Sequence, residues 1–135
     1  MYHSKQNIVV VDDDAQMTLA IGRLLKAAGF HAITFSSAED LLRTDAAETA
    51  HCLILDVQLP GLSGFELHRR LSESGAKSPV IFMTAYDYPD SQANARNAGA
   101  LAYFAKPFRA KNLLKVIADI LESKDAAQIS YPPGE

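Results

Sequence analysis

The chain has 135 residues, 48% of them hydrophobic and 21% charged, with a net charge of −3 at neutral pH. That size suits one domain with a real core, and the mild acidic excess leaves no generic nucleic-acid footprint, so no direct nucleic-acid partner is expected. A single cysteine, Cys52, excludes an intramolecular disulfide, and Met1-Tyr2-His3-Ser4-Lys5 leads into too short an apolar run for a signal peptide or membrane span; a reducing, cytoplasmic setting without a membrane partner is the expectation.

Ile8-Val9-Val10-Val11 is a β-branched run that stops at Asp12-Asp13-Asp14, which predicts a buried strand and then a loop. From Ala15 to Ala28 the residues Met17, Ile21, Leu24, Leu25 and Ala28 recur at helical spacing along one stripe. Gly29 supplies the left-handed stop. His31 to Phe35 is the second predicted strand. Ser36 and Glu39 have the spacing of a capping box and predict a second helix to about Arg43. A polar, alanine-rich connection follows over 44–51.

Cys52-Leu53-Ile54-Leu55 runs straight into Asp56, and Pro60-Gly61 punctuates the chain soon after. Such a run reads as a strand buried on both faces, with Cys52 a small apolar filler. Ser63 and Glu66 predict a capped third helix to about Ser74, closed by Gly75. Pro79 introduces a fourth strand, Val80-Ile81-Phe82-Met83, that ends at Thr84. Asp90 or Ser91 is the expected cap of a fourth helix ending at Gly99, a weak element rich in Ala and Asn. Ala102 to Ala105 is the fifth strand, followed by Lys106-Pro107. The last helix is Ala110 to Glu122, with Leu113, Ile117, Ile120 and Leu121 facing inward. One domain is expected over 1–124, with 125–135 a tail or the start of a linker. The histidines His3, His31, His51 and His68 have no ligand-like spacing.

Five alternating strand–helix units predict a doubly wound α/β fold, a parallel sheet with helices on both faces. Right-handed crossovers leave few arrangements. The flavodoxin-like order 2-1-3-4-5 is the expected one, with its switch point between strands 1 and 3. Those strands end in Asp12-Asp13 and in Asp56. Neighbouring strands lie about 4.8 Å apart, so these carboxylates crowd, and crowded like charges take up a proton or bind a cation. A small all-oxygen set with room for water suits Mg²⁺ rather than a softer metal. Asp14 sits where a helix cap belongs. Thr84 and Lys106, ending strands 4 and 5, add a hydroxyl and a compact ammonium to the same rim.

Together these stretches resemble the receiver domains of two-component response regulators. Val9-Val10-Val11-Asp12-Asp13-Asp14 is similar to that family's acidic pocket, and Leu53 to Gly61 with Ser63-Gly64 to its phosphoacceptor strand and the loop beyond. Met83-Thr84-Ala85 resembles its switch threonine, and Tyr103-Phe104-Ala105-Lys106-Pro107-Phe108 its switch aromatic and lysine–proline ending. The resemblance spans about Asn7 to Leu121. Over 52–64 and 79–84 it is nearest to receivers of nitrogen-fixation and nitrate-responsive regulators, which ordinarily precede a helix-turn-helix output domain.

The resemblance implies a signalling switch rather than a turnover enzyme. Asp56 would accept a phosphoryl group from a sensor histidine kinase or a phosphotransfer protein. Asp13, Asp56 and the main-chain carbonyl of Gln58 would hold Mg²⁺, with Asp12 acting mostly through water. Lys106, aimed inward by a cis bond to Pro107, and Thr84 would stabilise the transferring group. Thr84 and Tyr103 would then switch the face made by the fourth helix, fifth strand and fifth helix, a face that also allows a homodimer. Gln58 and Tyr86 would flank the line along which water attacks, with Tyr86 expected to cover the phosphoryl group. Three other uses of such a chain fit less well. A phosphatase of the haloacid dehalogenase kind needs a second carboxylate two residues past its nucleophile, where Gln58 stands. A flavin carrier needs a phosphate-binding loop after strand 1, where three acids would repel it. A pseudo-receiver that only makes protein contacts has no need of the full set of pocket residues.

Overall fold

The computed structural model describes residues 5–122. The apolar runs form five strands, Asn7–Val11 (β1), His31–Phe35 (β2), Cys52–Asp56 (β3), Val80–Thr84 (β4) and Ala102–Ala105 (β5). They alternate with Ala15–Ala27 (α1), Ala38–Leu42 (α2), Gly64–Glu73 (α3), Pro89–Asn97 (α4) and Ala110–Glu122 (α5). All strand pairs are parallel, in the order β2-β1-β3-β4-β5, as the alternation predicts. The expected boundary at 124 and the tail 125–135 lie outside the described residues.

Every residue of β3 and β4 is buried, because helices cover both faces of the sheet. Val9, Val11, Leu53, Leu55 and Phe82 face one layer, where Leu41 of α2, Leu67 and Leu71 of α3 and Ala95 of α4 pack. Ile8, Val10, Ile54, Ile81 and Met83 face the other, against Ile21 and Leu25 of α1 and Leu113, Ile117 and Ile120 of α5. Each fully buried Leu, Ile or Val contributes roughly 1.5–3 kcal/mol relative to exposure, so the centre of the sheet is the rigid part. Helix α4 buries only Ser91 and Ala95. It carries no large apolar anchor, in keeping with its weak sequence signal, and so is loosely held.

The register sets the functional edge. Val11 pairs with Leu55, Asp56 with Met83, and Thr84 with Ala105. The residues that end or follow β1, β3, β4 and β5 are therefore level with one another at the carboxyl ends of the strands.

Three boundaries differ from the sequence reading. The cap of α2 is Ser37, not Ser36: its backbone is extended and its Oγ accepts from the Asp40 N–H at 3.0 Å. Ser36 instead donates to Asp40 Oδ2, and Glu39 does not close a capping box but accepts from the Leu62 N–H. Helix α4 starts at Pro89 after Tyr88, before the expected Asp90 or Ser91, because proline's fixed φ suits the first helical position. The connection over 44–51 contains a 3₁₀ turn, Ala46–Glu48, folded around the buried Ala47. Ser63 caps α3 as expected, accepting from the Glu66 N–H at 3.1 Å, whereas the Glu66 carboxylate pairs with Arg69.

Gly64 opens α3 directly behind β3. A Cβ there would stand 2.2 Å from the Asp56 carbonyl oxygen and 3.1 Å from Val57 Cα, backbone atoms that cannot step aside. At Gly22, inside α1, a Cβ would meet only Thr34 Cγ2 at 3.7 Å. Gly64→Ala is expected to destabilise by about 1–3 kcal/mol. Gly22→Ala is expected to stabilise by up to about 1 kcal/mol through helix propensity. Urea denaturation of the two variants beside the parent checks both signs.

Candidate functional site

Asp12, Asp13 and Asp56 meet at the carboxyl edge of the sheet, with one carboxylate oxygen of each within 4.8 Å of the others. Asp12 is fully buried, Asp56 is 4% exposed, and Asp13 is open to solvent. The two buried acids are held alike. The Asp14 N–H donates to Asp12 Oδ1 at 2.9 Å, and the Gln58 N–H donates to Asp56 Oδ1 at 3.0 Å. Lys106 Nζ closes the pair from above, donating to Asp12 Oδ2 at 2.7 Å and to Asp56 Oδ2 at 3.0 Å. The Lys106 N–H donates to the Thr84 carbonyl at 2.7 Å, fixing its backbone beside β4, and the bond to Pro107 is cis. Asp14 stays out of the cluster and caps α1, accepting from the Gln16 and Met17 N–H groups.

The site is short of positive charge, with three carboxylates facing one ammonium. The Asp56 carboxyl is pushed up from its ordinary 3.8 to about 6, chiefly because burial strips its charge of water. The Lys106 hydrogen bond opposes that rise and the Asp12 charge adds to it. Burial alone would pull the Lys106 ammonium down, but its bonds to Asp12 and Asp56 outweigh this and hold it above its ordinary value. Hard oxygen donors, an uncompensated negative charge and one solvent-facing carboxylate fit Mg²⁺, which binds a few carboxylates and keeps several waters. Among the described residues this is the one acidic or histidine cluster with metal-binding spacing.

Thr84 ends β4 fully buried. Its Oγ1 accepts from the Tyr86 N–H at 2.9 Å and donates to Gln58 Oε1, with the Tyr86 carbonyl a second acceptor at 3.1 Å. The Gln58 side chain, expected beside the line of water attack, is thus engaged by the threonine. Tyr86, expected to cover the acceptor, is 56% exposed and its ring stacks on Tyr88. Tyr103 is partly buried, and its hydroxyl donates to Asp87 Oδ1 at 3.1 Å. Sequence reasoning missed Asp87 and the Gln58–Thr84 bond. Neither follows a spacing rule, because each joins a loop residue to a strand residue far from it in the chain or on another element. Cys52 is buried with its thiol pushed up to about 12 by burial, and so inert. The Asn7 N–H donates to the His51 ring, and His68 packs edge-on against Phe82, structural uses that match the absence of ligand spacing.

The Asp56 shift gives stability a pH dependence. Between about pH 4 and pH 6 the folded protein keeps a proton on Asp56 that the unfolded chain has released, so stability falls as pH rises through this window. Without divalent ions, Asp56→Asn is expected to be more stable than the parent by about 2 kcal/mol at pH 7.5, with most of that gain gone at pH 4.5. Denaturation of both proteins at the two pH values checks it; a gain that grows at low pH would contradict the assignment of the shift to burial.

Comparison with known proteins agrees with this geometry. The family model described as "Response regulator receiver domain" matches residues 8–118. The response regulator protein TmoT of Ectopseudomonas mendocina is 36% identical over 91% of this chain and 58% of its own length. The transcriptional regulatory protein FixJ of Bradyrhizobium diazoefficiens is 31% identical over 92% of this chain and 60% of its own. The chain thus spans little more than half the length of such relatives. Among solved structures, the BeF3-activated DrrB receiver domain superposes with a TM-score of 0.81 at 33% identity, covering 89% of this chain and all of that one. A response regulator receiver protein from Burkholderia phymatum gives 0.76 at 42% identity, over 87% and 95%. With its fold, its acidic edge and these likenesses in agreement, the chain belongs to the receiver domains of two-component response regulators.

Proposed function

We propose that Asp56 accepts a phosphoryl group from the phosphohistidine of a sensor histidine kinase or phosphotransfer protein, and that the transfer needs Mg²⁺ at Asp12, Asp13, Asp56 and the Gln58 main-chain carbonyl. The observation that carries this reading is the placement of Asp56 at the end of a wholly buried strand, 3.0 Å from Lys106 Nζ and within 4.8 Å of two further carboxylates. One Asp56 oxygen forms the new P–O bond as the P–N bond to the imidazole breaks, and the bonding pair leaves with the imidazole nitrogen. Such a transfer asks mainly for alignment and charge neutralisation. Mg²⁺ supplies the larger share of the positive charge when bound. Lys106 brings an ammonium already held at the acceptor, and Thr84 offers a hydroxyl proton to a phosphoryl oxygen.

The output in this reading is a bias between two arrangements. A phosphoryl group adds about −1.5 to −2 charge and three acceptor oxygens. Thr84 turns toward it, the backbone of Tyr86 follows, and Tyr103 exchanges its bond to Asp87 for an inward position. The responding surface is α4, β5 and α5, where α4 is the loosely held element, and a homodimer through that face belongs to the same proposal. A hydrolase reading is less well supported: the residue two past Asp56 is Gln58, whose carboxamide is bonded to Thr84 and is far too weak an acid to protonate a leaving group.

Incubation with acetyl phosphate and Mg²⁺ is expected to add one phosphoryl mass to the parent and none to Asp56→Asn, as read by intact mass spectrometry. Labelling of the Asn variant to the parent's level would refute the assignment. Asp13→Ala is expected to weaken Mg²⁺ binding tenfold or more, an order-of-magnitude figure for one lost carboxylate ligand, as read by titration calorimetry on the unphosphorylated protein.

A further inference from the structure

The Gln58 side chain is the polar group of this site that the transfer chemistry leaves unused. Its main chain is already committed, since its N–H holds Asp56 Oδ1 at 3.0 Å. Its carboxamide reaches across to Thr84 on the neighbouring strand end. A threonine hydroxyl has one proton and two lone pairs. At Thr84 one lone pair takes the Tyr86 N–H at 2.9 Å, so the single proton needs an acceptor; Gln58 Oε1 accepts it, and the Tyr86 carbonyl at 3.1 Å is the alternative. Thr84 is fully buried, so water does not readily replace a lost partner.

A phosphoryl oxygen on Asp56 would require that same proton. The Gln58 carboxamide and the phosphoryl group therefore compete for one donor. The bond also anchors a longer chain of contacts. Thr84 also holds the Tyr86 N–H, at 2.9 Å. The next residue, Asp87, accepts from the Tyr103 hydroxyl at 3.1 Å and from Gln92 Nε2 of α4 at 2.9 Å. Moving the Thr84 hydroxyl toward a phosphoryl group would break its bonds to both Gln58 and the Tyr86 N–H, and so free the backbone that carries Asp87, with the tether on Tyr103 and on the first turns of α4.

We propose that the Gln58 carboxamide is a latch: it occupies the Thr84 proton and so holds the loop 85–88 and Tyr103 in the unphosphorylated arrangement. This rests on the phosphoacceptor reading of Asp56. A ligand shifts a two-state equilibrium only by its differential affinity for the two states, so a contact made in one state alone sets the threshold the phosphoryl group must overcome. Gln58 is a positioning residue in this scheme, acting through Thr84.

Gln58→Met tests it, since methionine keeps the length and the main chain and removes the acceptor. The first measurement is urea denaturation, without Mg²⁺ or phosphoryl donor, of the parent, Gln58→Met, Thr84→Val and the double variant. The two substitutions are expected to be coupled, with an interaction worth about three- to tenfold in the unfolding equilibrium constant, the range of one net hydrogen bond. Strict additivity would overturn the latch. The second is titration with beryllofluoride and Mg²⁺, a phosphoryl mimic, followed by tyrosine fluorescence. Gln58→Met is expected to reach half-saturation at about three- to tenfold lower beryllofluoride than the parent; equal or weaker binding would overturn the proposal. No response in either protein would overturn the acceptor reading and the gating role together, whereas additivity in the denaturation cycle overturns the latch alone.

Discussion

One ammonium between two buried carboxylates organises this protein. Lys106 Nζ lies 2.7 Å from Asp12 and 3.0 Å from Asp56, and neither acid has water enough to carry its charge unaided. A buried ion pair is a poor source of net stability, because desolvation cancels most of the attraction. What it does here is hold three strand ends in one geometry. Lys106 belongs to the end of β5, Asp12 to the end of β1 and Asp56 to β3, so the contact ties both sides of the sheet's switch point. Three carboxylates to one ammonium leave the edge deficient in positive charge, the deficit that the proposed cation and phosphoryl group would meet.

The stability that tolerates such an edge comes from elsewhere. The wholly buried strands β3 and β4, clamped by Leu67 and Leu71 on one face and Leu113 and Ile117 on the other, give a base that does not yield. Asp56 is built on that base, which would keep the alignment that the proposed transfer needs. The parts proposed to respond lie where packing is thin: α4 with only Ser91 and Ala95 inside, and the loop over 85–88, which is exposed along its length. Rigidity under Asp56 and looseness beside Thr84 are thus two consequences of one distribution of apolar residues.

In the proposed switch, hydrogen bonding at the threonine would let a small polar inventory carry two states. Thr84, with a single proton and no access to water, must choose among acceptors. Such a group has discrete arrangements rather than a continuum, since a half-made bond in a buried site costs nearly as much as a missing one. The contacts from Gln58 through Thr84 and Tyr86 to Asp87, Tyr103 and Gln92 would turn that local choice into a difference in loop position.

The sheet, its order and its acidic edge were legible in the sequence because they rest on short-range regularities. Apolar runs such as Cys52 to Leu55 ending in an acid, and glycine stops such as Gly29, mark elements directly, and parallel strands with right-handed crossovers leave few orders to choose from. Asp12, Asp13, Asp56, Thr84 and Lys106 could be placed on one rim by counting strand ends alone. Helix starts were less legible: Ser36 and Ser37 are both competent caps, and only the backbone angles select Ser37. Tertiary structure alone decided where the side chains beyond the strand ends reach: Gln58 to Thr84, Tyr103 to Asp87, Glu39 to the Leu62 N–H, and Tyr86 outward onto Tyr88. The reason is physical. Burial along a strand follows from a period of two and a local run of residues, whereas a hydrogen bond between loops depends on where two distant backbones end to within a fraction of an ångström, and no sequence spacing encodes that.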